Sequence, residues 1–350
     1  MSKRISHIDL IGIVREIFLK YKFEPIKAQI SAEILVEADL TGKVSHGVSK
    51  IGSYYIPLIE NHIVNPNAKN KIIFESKHKL IIDGHSELGL CTAHDAMKKS
   101  IEKARENEVC ITSVLNSTHF GTASFYTQMA AKENYIGIVI TNGCPAIVPP
   151  GGHVPLTGTN ALSISFPNMS EYPIIMDIGM SSTSLGNLFI KMKNNEEVPK
   201  EYGAYALLEK YHLHNQKMIS PEVILRERML TPFGGSDLRG KYKGFQLALM
   251  IDLFLGIFCG GKFSYEQEIG EASQLFICIN PYTFVSKAMY KERVDNIIKV
   301  VKNSKVFDGF DALRVPGERA YNEKKKNLKN GVLLEEHLLD ELLILSQKFK

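Results

Sequence analysis

The segment VCITSVLNSTHFGTASFYTQMAAKENYIGIVITN (109–142) constrains the fold more than any other part of the chain. VCITSVLN (109–116) is rich in β-branched residues, which pack well on a pleated surface, and predicts a strand. TASFYTQMAAKE (122–133) reads as a helix and IGIVITN (136–142) as a second strand. A β-α-β unit of this kind predicts two parallel strands lying side by side, and with them an α/β fold. Further strands are expected at ALSISFP (161–167), YPIIMDIG (172–179) and LFICIN (275–280). A polar helical stretch is expected over about 200–228, an apolar helix at 245–258, and helices at 287–303 and about 335–348.

The first third reads as helical. Pro25 suits a first helical turn. Ile26, Ile30, Ile34 and Ala38 recur at a spacing of four, which predicts one apolar face on a helix that ends near Gly42. Ser45 is expected to cap the next helix, with Ile51, Tyr54 or Tyr55, and Leu58 on its apolar side and Pro57 bending or ending it. At 350 residues the chain can bury a large core in two or three lobes. Its charge is +4, from 42 basic and 38 acidic residues, with no basic block beyond EKKKNLKN (323–330), which argues against a nucleic-acid partner. Cys91, Cys110, Cys144, Cys259 and Cys278 are scattered and never form a CxxC pair. They fit reduced thiols in a cytoplasmic protein better than a disulfide frame or a zinc site. MSKRISHIDLIGIVREIFLK reads as an amphipathic helix, not a signal peptide. FQLALMIDLFLGIFCGG (245–261) is short and carries Asp252, so a buried helix is expected there and no membrane span.

Ligands of open α/β sheets gather beyond the carboxyl ends of the strands. Those ends carry NSTHFGT (116–122) and TNGCP (141–145), so Asn116, His119 and Asn142 are expected to face one crevice. A dinucleotide fits such a crevice, yet GxGxxG is absent from the chain, and on pattern alone His119 also reads as a structural histidine. PPGGHVPLTGTN (149–160) and PFGGSDLRGKYKGF (232–245) are glycine-rich loops, shaped either as plain turns or to bring N–H groups to a phosphate. The second ends in Lys243-Gly244, expected at the start of the apolar helix, where an anion site and a surface lysine both fit. Asp177, expected at a strand end, is either satisfied by loop N–H groups or orients a histidine and stabilises its protonated form. In VSHGVSK (44–50), His46 and Lys50 are four apart and share a face on a helix. A proton donor beside a cation that holds a carboxylate is what reduction of a 2-oxo acid needs. A surface helix cap is the alternative reading of the same residues.

In order along the chain, EADLTGKVSHGVSK (37–50), ENHIVNPNA (60–68), NSTHFGTASFYTQMAAKENYIGIVITN (116–142), PPGGHVPLTGTN (149–160), MDIGMSS (176–182), PFGG (232–235), YKGFQLALMID (242–252) and RVPGE (314–318) resemble the malate/L-lactate dehydrogenase family of the second type, over almost the whole chain. The resemblance implies an NAD- or NADP-dependent reductase with a non-Rossmann dinucleotide-binding fold of the sulfolactate dehydrogenase type: a mixed sheet flanked by helices. That fold accounts for the missing GxGxxG. It also implies a homodimer with active sites close to the subunit interface. The expected organisation has residues 1–105 packing with 229–350 as the substrate and dimerisation lobe, and 106–228 as the cofactor lobe. Carried over by residue, His46 is the general acid/base, Ser45 and Asp177 are its hydrogen-bonding partners, and His119 lies near nicotinamide and substrate. Lys50 anchors the substrate carboxylate. Asn116, Thr141, Asn142, Gly151, Gly152, Gly158, Thr159, Asn160, Lys243 and Gly244 stand on the cofactor side.

The chain departs from the family pattern at several points. Lys50 stands where arginine is common, and lysine cannot make two parallel bonds to a carboxylate. Ala161 replaces a proline, Met180 a hydroxyl residue, and Asn187 the lysine of a Gly-Lys pair. Residues 205–222 lack an Asp-Gly-x-Pro-Thr turn. The expectation is a cytoplasmic NAD(P)-dependent oxidoreductase acting on a small 2-hydroxy or 2-oxo carboxylic acid, with no nucleic-acid or membrane partner and no metal. The alternatives are a reductase of a cyclic imino acid, a non-catalytic relative, and a metal-dependent hydrolase or lyase ligated by His46, His119 and Asp177.

Overall fold

The computed structural model describes residues 2–169, 171–234 and 238–347. Seven strands form one mixed sheet, flanked by helices. Their order is Lys71–Glu75, Lys79–Asp83, Val109–Thr118, Glu271–Ile279, Ile136–Thr141, Ala161–Phe166, Ile174–Ile178. The strands 109–118 and 136–141 run parallel, as the β-α-β pattern predicts, but they are not neighbours. The 271–279 strand lies between them and pairs antiparallel with both, Phe276 facing Thr112 on one side and Val139 on the other. The physical reason is burial. Ala272 to Phe276 are all buried, so both faces and both edges of this strand need cover, and a strand this apolar at an edge would leave its N–H and C=O groups open. Within the sheet the parallel neighbours are 79–83 and 109–118.

The N-terminal segment is not helical from its start. Ser2–Ile5 pairs with Val332–Glu335. Ser6 then caps a helix, His7–Lys20, by accepting a hydrogen bond from the Asp9 N–H. The helix Pro25–Leu40 begins at its proline and ends just before Gly42, whose φ of 73° suits glycine. Ile34 and Ala38 of the face that the spacing predicts are buried and Ile30 packs on the core, but the buried surface is wider than that one stripe. Ile26 is exposed, and Ala28, Ser31, Ala32, Leu35 and Asp39 are buried, because helices 7–20 and Gly89–Asn107 cover it from two sides.

Three apolar clusters hold the chain together. Alternate residues of the central strands feed two of them from opposite faces of the sheet. Val139 and Phe276 join the large cluster with helices 7–20, 25–40, 89–107 and Ala123–Lys132. Ile140 and Leu275 join Met180, Ala248, Ile251 and Leu255. A third cluster, with Ala146, Val148, Leu188, Leu207, Ile224 and Leu230, organises the segment 146–230. The polar stretch at 200–228 resolves into the short helices Tyr205–Lys210 and Pro221–Glu227 and a ribbon of Val198–Pro199 with Met218–Ile219. The apolar helix starts earlier than expected, at Leu238, runs to Leu253, and continues as a π-turn over Phe254–Phe258. Among the described residues no helix is long and apolar enough to cross a membrane.

Candidate active site

VSHGVSK does not form the capped helix that its sequence suggests. Val44–His46 is a single 3₁₀ turn, and helical structure resumes at Ile51 as a π-turn over Ile51–Tyr55 that leads into Ile56–Glu60. Pro57 sits in the first turn of that last segment, where its missing N–H is tolerated. Ser45 therefore caps nothing. Its Oγ lies 2.9 Å from His46 Nδ1. Buried Asp39 fixes the loop, accepting the Val48 N–H at 2.7 Å. Burial pushes its pKa up to about 7, against the pull of that hydrogen bond. A Cβ at Gly47 would come 2.2 Å from Asp39 Oδ2, so only glycine lets the loop close on this carboxylate. On the other side Gly186, in the helix Leu185–Lys193, leaves room for Ser45 O, which a Cβ would approach to 2.6 Å.

Asp177 lies in the last sheet strand, 174–178, and pairs with Lys43; it also accepts the Ser124 N–H at 3.3 Å. Its action on His46 is thus electrostatic, exerted from within an ion pair, while Ser45 takes the ring nitrogen. Burial works to raise the Asp177 pKa, but the Lys43 ammonium and the hydrogen bonds from Lys43 and Ser124 outweigh it and hold the carboxyl below the usual range. His46 moves the other way. Burial, then the Lys50 and Lys43 charges, lower its pKa, and Asp177 offsets part of this. The resting imidazole is neutral near pH 7.

His119 follows the 109–118 strand. The Gly121 N–H donates to its Nδ1 at 3.3 Å, and the Tyr55 hydroxyl lies 2.8 Å from the same atom. With Nδ1 accepting, the proton of the neutral ring is assigned to Nε2. Burial, His46 and Lys50 hold its pKa well below the ordinary value. The His46 and His119 rings stack at 6.0 Å between centroids, 20° apart.

Both histidines line a cavity of about 170 Å³ together with Lys50, Tyr54, Thr141, Asn142, Cys144, Thr159, Asn160, Ala161, Gly186, Arg228 and Glu271. Burial and then Arg228 lower the Lys50 pKa to about 8. The two asparagines shape this wall with their amides already engaged. Asn142 Nδ2 donates to Asp252 Oδ1 at 2.9 Å, Asn160 Nδ2 to Ala248 O at 2.8 Å and to the same Asp252 oxygen at 3.2 Å, and Ser264 Oγ to that oxygen at 2.7 Å. Thr141 Oγ1 donates to Ser273 O at 3.0 Å.

Other expected residues lie elsewhere. Asn116 is exposed, bonds Asp83, and faces a separate cavity of about 330 Å³ beside Lys262 and Ser273. Gly151 turns an open loop at φ 80°, and a Cβ there would meet no neighbour within 4 Å. Gly152 packs on Pro149 of the same turn, and Gly158 backs onto Gly143, its N–H donating to Ser264 Oγ at 2.8 Å. Lys243 is exposed in the second turn of its helix, not at the N-terminus, and Gly244 packs against Phe233. Residues 235–237 of that glycine-rich loop lie outside the described residues. Met180 is wholly buried in the core, and Asn187 donates to Thr183 Oγ1 at 2.9 Å, so these two departures serve packing and local structure.

Sequence reasoning missed Asp39, Lys43, Tyr55, Arg228 and Asp252. Lys43 and Asp39 stood close before His46, and Asp252 was the one charge in an apolar run. Tyr55 and Arg228 carried no local signal. Among the described residues no group of three His, Cys, Asp or Glu side chains is placed to hold a metal ion.

A sequence profile of malate/L-lactate dehydrogenases matches residues 5–343. The chain belongs to the malate/L-lactate dehydrogenase family. It is 32% identical to a malate dehydrogenase of Pyrococcus abyssi over 97% of this chain and 93% of that one. It is 31% identical to an L-sulfolactate dehydrogenase of Methanocaldococcus jannaschii over 94% of this chain and 92% of that one. Among solved structures, malate dehydrogenase from Entamoeba histolytica superposes with a TM-score of 0.92 at 27% identity, covering 99% of this chain and 98% of that one. Sulfolactate dehydrogenase from M. jannaschii superposes at 0.84 and 28% identity, covering 99% and 97%. The dehydrogenase lineage and the non-Rossmann sheet agree with the motif reading, and the chain is an oxidoreductase by family.

Proposed function

We propose that this dehydrogenase moves a hydride between NAD or NADP and C2 of a small 2-hydroxy or 2-oxo carboxylic acid. The observation that carries the reading is one small cavity holding His46, His119 and Lys50 together. In the reducing direction Lys50 holds the substrate carboxylate and His46 gives a proton to the oxo oxygen as C2 gains the hydride, so the 2-oxo acid becomes the 2-hydroxy acid. The oxidising direction returns the proton to His46, which rests neutral and ready to accept it. His119, with its proton on Nε2, donates a hydrogen bond into the site. Asp177 stabilises the imidazolium of His46 from its pair with Lys43. The nicotinamide, when bound, supplies or accepts the hydride at C4.

The chain offers groups that fit such a cofactor. A second cavity, of about 360 Å³, is lined by the Lys43–Asp177 pair, the cations Lys132 and Arg319, a Lys324–Glu37 pair, and the Tyr172 and Tyr321 rings, stacked at 4.5 Å. Cations for a pyrophosphate and a ring pair for a base are the chemistry that a dinucleotide needs. Thr141, Asn142, Thr159 and Asn160 would then border the nicotinamide end. A melting-temperature comparison with NADH and NADPH tests which one binds, since a ligand of the native state raises apparent stability.

A homodimer fits the exposed Leu247, Met250, Phe254, Ile257 and Phe258 on one side of the 238–258 helical stretch. The five free cysteines suit a reducing cytoplasm. The decisive experiment is His46→Ala. Loss of about 10²- to 10⁴-fold in kcat with a matching oxo acid is expected, and a wild-type rate would remove His46 from the mechanism. A relative 25% identical is named a pyrroline- and piperideine-2-carboxylate reductase. Assays of a cyclic imino acid beside a 2-oxo acid separate the two substrate classes.

A further inference from the structure

One row of charges bridges the cavity of about 360 Å³ and the cavity of about 170 Å³. Lys43 and Asp177 line the larger one, and His46 lines the smaller one. The backbone of Lys43 is fixed on both sides. Its N–H closes the end of the Pro25–Leu40 helix on Ala38 O at 2.7 Å, and its carbonyl accepts the His46 N–H at 2.9 Å. Its side chain reaches two other elements. Nζ donates to Asp177 Oδ2 in the last sheet strand and to Ser124 Oγ in the first turn of the Ala123–Lys132 helix. The Ser124 N–H donates to the same Asp177 oxygen at 3.3 Å. The pair is largely buried, with 21% of the Lys43 side chain and 14% of the Asp177 side chain exposed.

This ammonium decides what Asp177 can do to the histidine. The groups that face His46 are Lys43 and Lys50 of its own segment, Asp177 of the strand, and His119, stacked on its ring. Asp177 favours the imidazolium, and Lys50 and Lys43 oppose it. Across the cavity stand Tyr54, Cys144, Arg228 and Glu271, the last with both oxygens accepting from Lys262 at 2.7 Å. A buried carboxylate without Lys43 would draw a proton onto the dyad that it forms with His46. Lys43 prevents this twice over, by pairing with the carboxylate and by setting a fixed positive charge near the ring. An unprotonated ring is what oxidation needs. There the hydroxyl proton of the substrate passes to His46 as the C2–H electron pair leaves as hydride for the nicotinamide.

We infer that Lys43 is a positioning residue for the proton-transfer step, holding Asp177 at the boundary of the two cavities so that His46 stands as a free base. The inference rests on the hydride-transfer reading. Lys43 acts through Asp177 and through its own charge, not by contact with the reacting atoms.

The test titrates the His46 ring by NMR in the protein without cofactor, its signal being the one lost in His46→Ala. The wild-type ring takes up its proton at about 4. In Lys43→Met the midpoint rises by roughly 1 to 3 units, and in Lys43→Arg it keeps the wild-type value. The acid limb of kcat/KM for oxidation of malate, lactate or sulfolactate moves up with it, each unit being a tenfold loss of rate below the limb. Where Lys43→Met does not fold, Lys43→Met/Asp177→Asn, which leaves neither member of the pair charged, is compared with Asp177→Asn; its midpoint is the higher of the two, because one opposing cation is gone. An unchanged midpoint on removing the lysine, including the case where only the KM for the nucleotide rises, makes Lys43 a structural or cofactor-binding cation; the inference is then overturned and the dehydrogenase reading stands. If wild type reduces neither NAD nor NADP with any of the three acids, the dehydrogenase reading itself fails, whatever the midpoint does, and takes the inference with it.

Discussion

Replacing Lys50 by arginine removes an alkaline limit on this enzyme. Burial and Arg228 bring the lysine to about 8. At pH 7 about nine-tenths of it is charged, and at pH 9 about one-tenth. If Lys50 is the carboxylate anchor proposed above, the free enzyme loses roughly tenfold of it between those values, and kcat/KM reports the free enzyme. The oxidising direction is the one to measure. His46 must be neutral there, and its lowered pKa keeps it so across the window, as it does for His119. The wild-type kcat/KM for a 2-hydroxy acid should therefore drop about tenfold from pH 7 to 9, mostly through KM. In Lys50→Arg the guanidinium stays charged and this limb flattens. Stability moves oppositely. The lysine pKa is lower in the folded chain, so between about 8 and the unfolded value of ~10.4 the unfolded chain binds more protons, and stability rises with pH over that interval. Wild type should thus gain melting temperature there while losing activity, and Lys50→Arg should do neither. Identical alkaline limbs in the two proteins would refute the assignment of Lys50 as the carboxylate anchor.

Three further outcomes follow from the geometry. Gly47→Ala pushes a methyl group to 2.2 Å from Asp39 Oδ2; displacing the loop by about 1 Å should cost on the order of 100-fold in kcat, with a lowered melting temperature read by differential scanning fluorimetry. Asp177→Asn removes the group that raises the His46 pKa and leaves Lys43 without its counterion, so the acid limb of the oxidation pH–rate profile should move to lower pH while kcat falls. Phe254→Glu, on the exposed apolar side of the last long turn, should convert a dimer to monomers in light scattering at micromolar concentration.

Much of the fold was legible because it rests on local pattern. Proline at 25, glycine at 42 and the β-branched runs at 109–116 and 136–142 mark their elements directly. What pattern could not supply was the partner of each strand. Inserting the 271–279 strand between 109–118 and 136–141 joins segments more than 120 residues apart, and only the burial of both its faces decides it. The hairpin of 71–75 with 79–83 was missed because its outer strand is exposed at every position and shows no alternation. At the site, His46, His119, Lys50 and Asp177 were visible because each sits in a motif beside a loop. Gly151 and Lys243 were named by the same motif logic, yet they stand in open positions, since a glycine-rich string does not say which way its turn faces.

The least legible part of the site is its charge balance, which only the folded chain creates. Asp177 looks in sequence like a direct partner of His46, but Lys43, two residues before Ser45, takes that carboxylate and turns a hydrogen bond into a field. Asn142 and Asn160 look like ligand-binding amides, but Asp252 engages both of them, so they hold the wall rigid while the histidines face the cavity. Anions are thus satisfied within the protein, by lysine or by amide. The groups left facing the cavity are two neutral imidazoles and two cations, Lys50 and Arg228. A site that has paired its own carboxylates and kept its cations open is built to draw an anionic substrate. The same excess of positive charge holds His46 neutral until that substrate arrives. On the proposed mechanism, an anion bound beside Lys50 offsets the charge that lowers the His46 pKa, so the acid needed for reduction would form as the substrate binds.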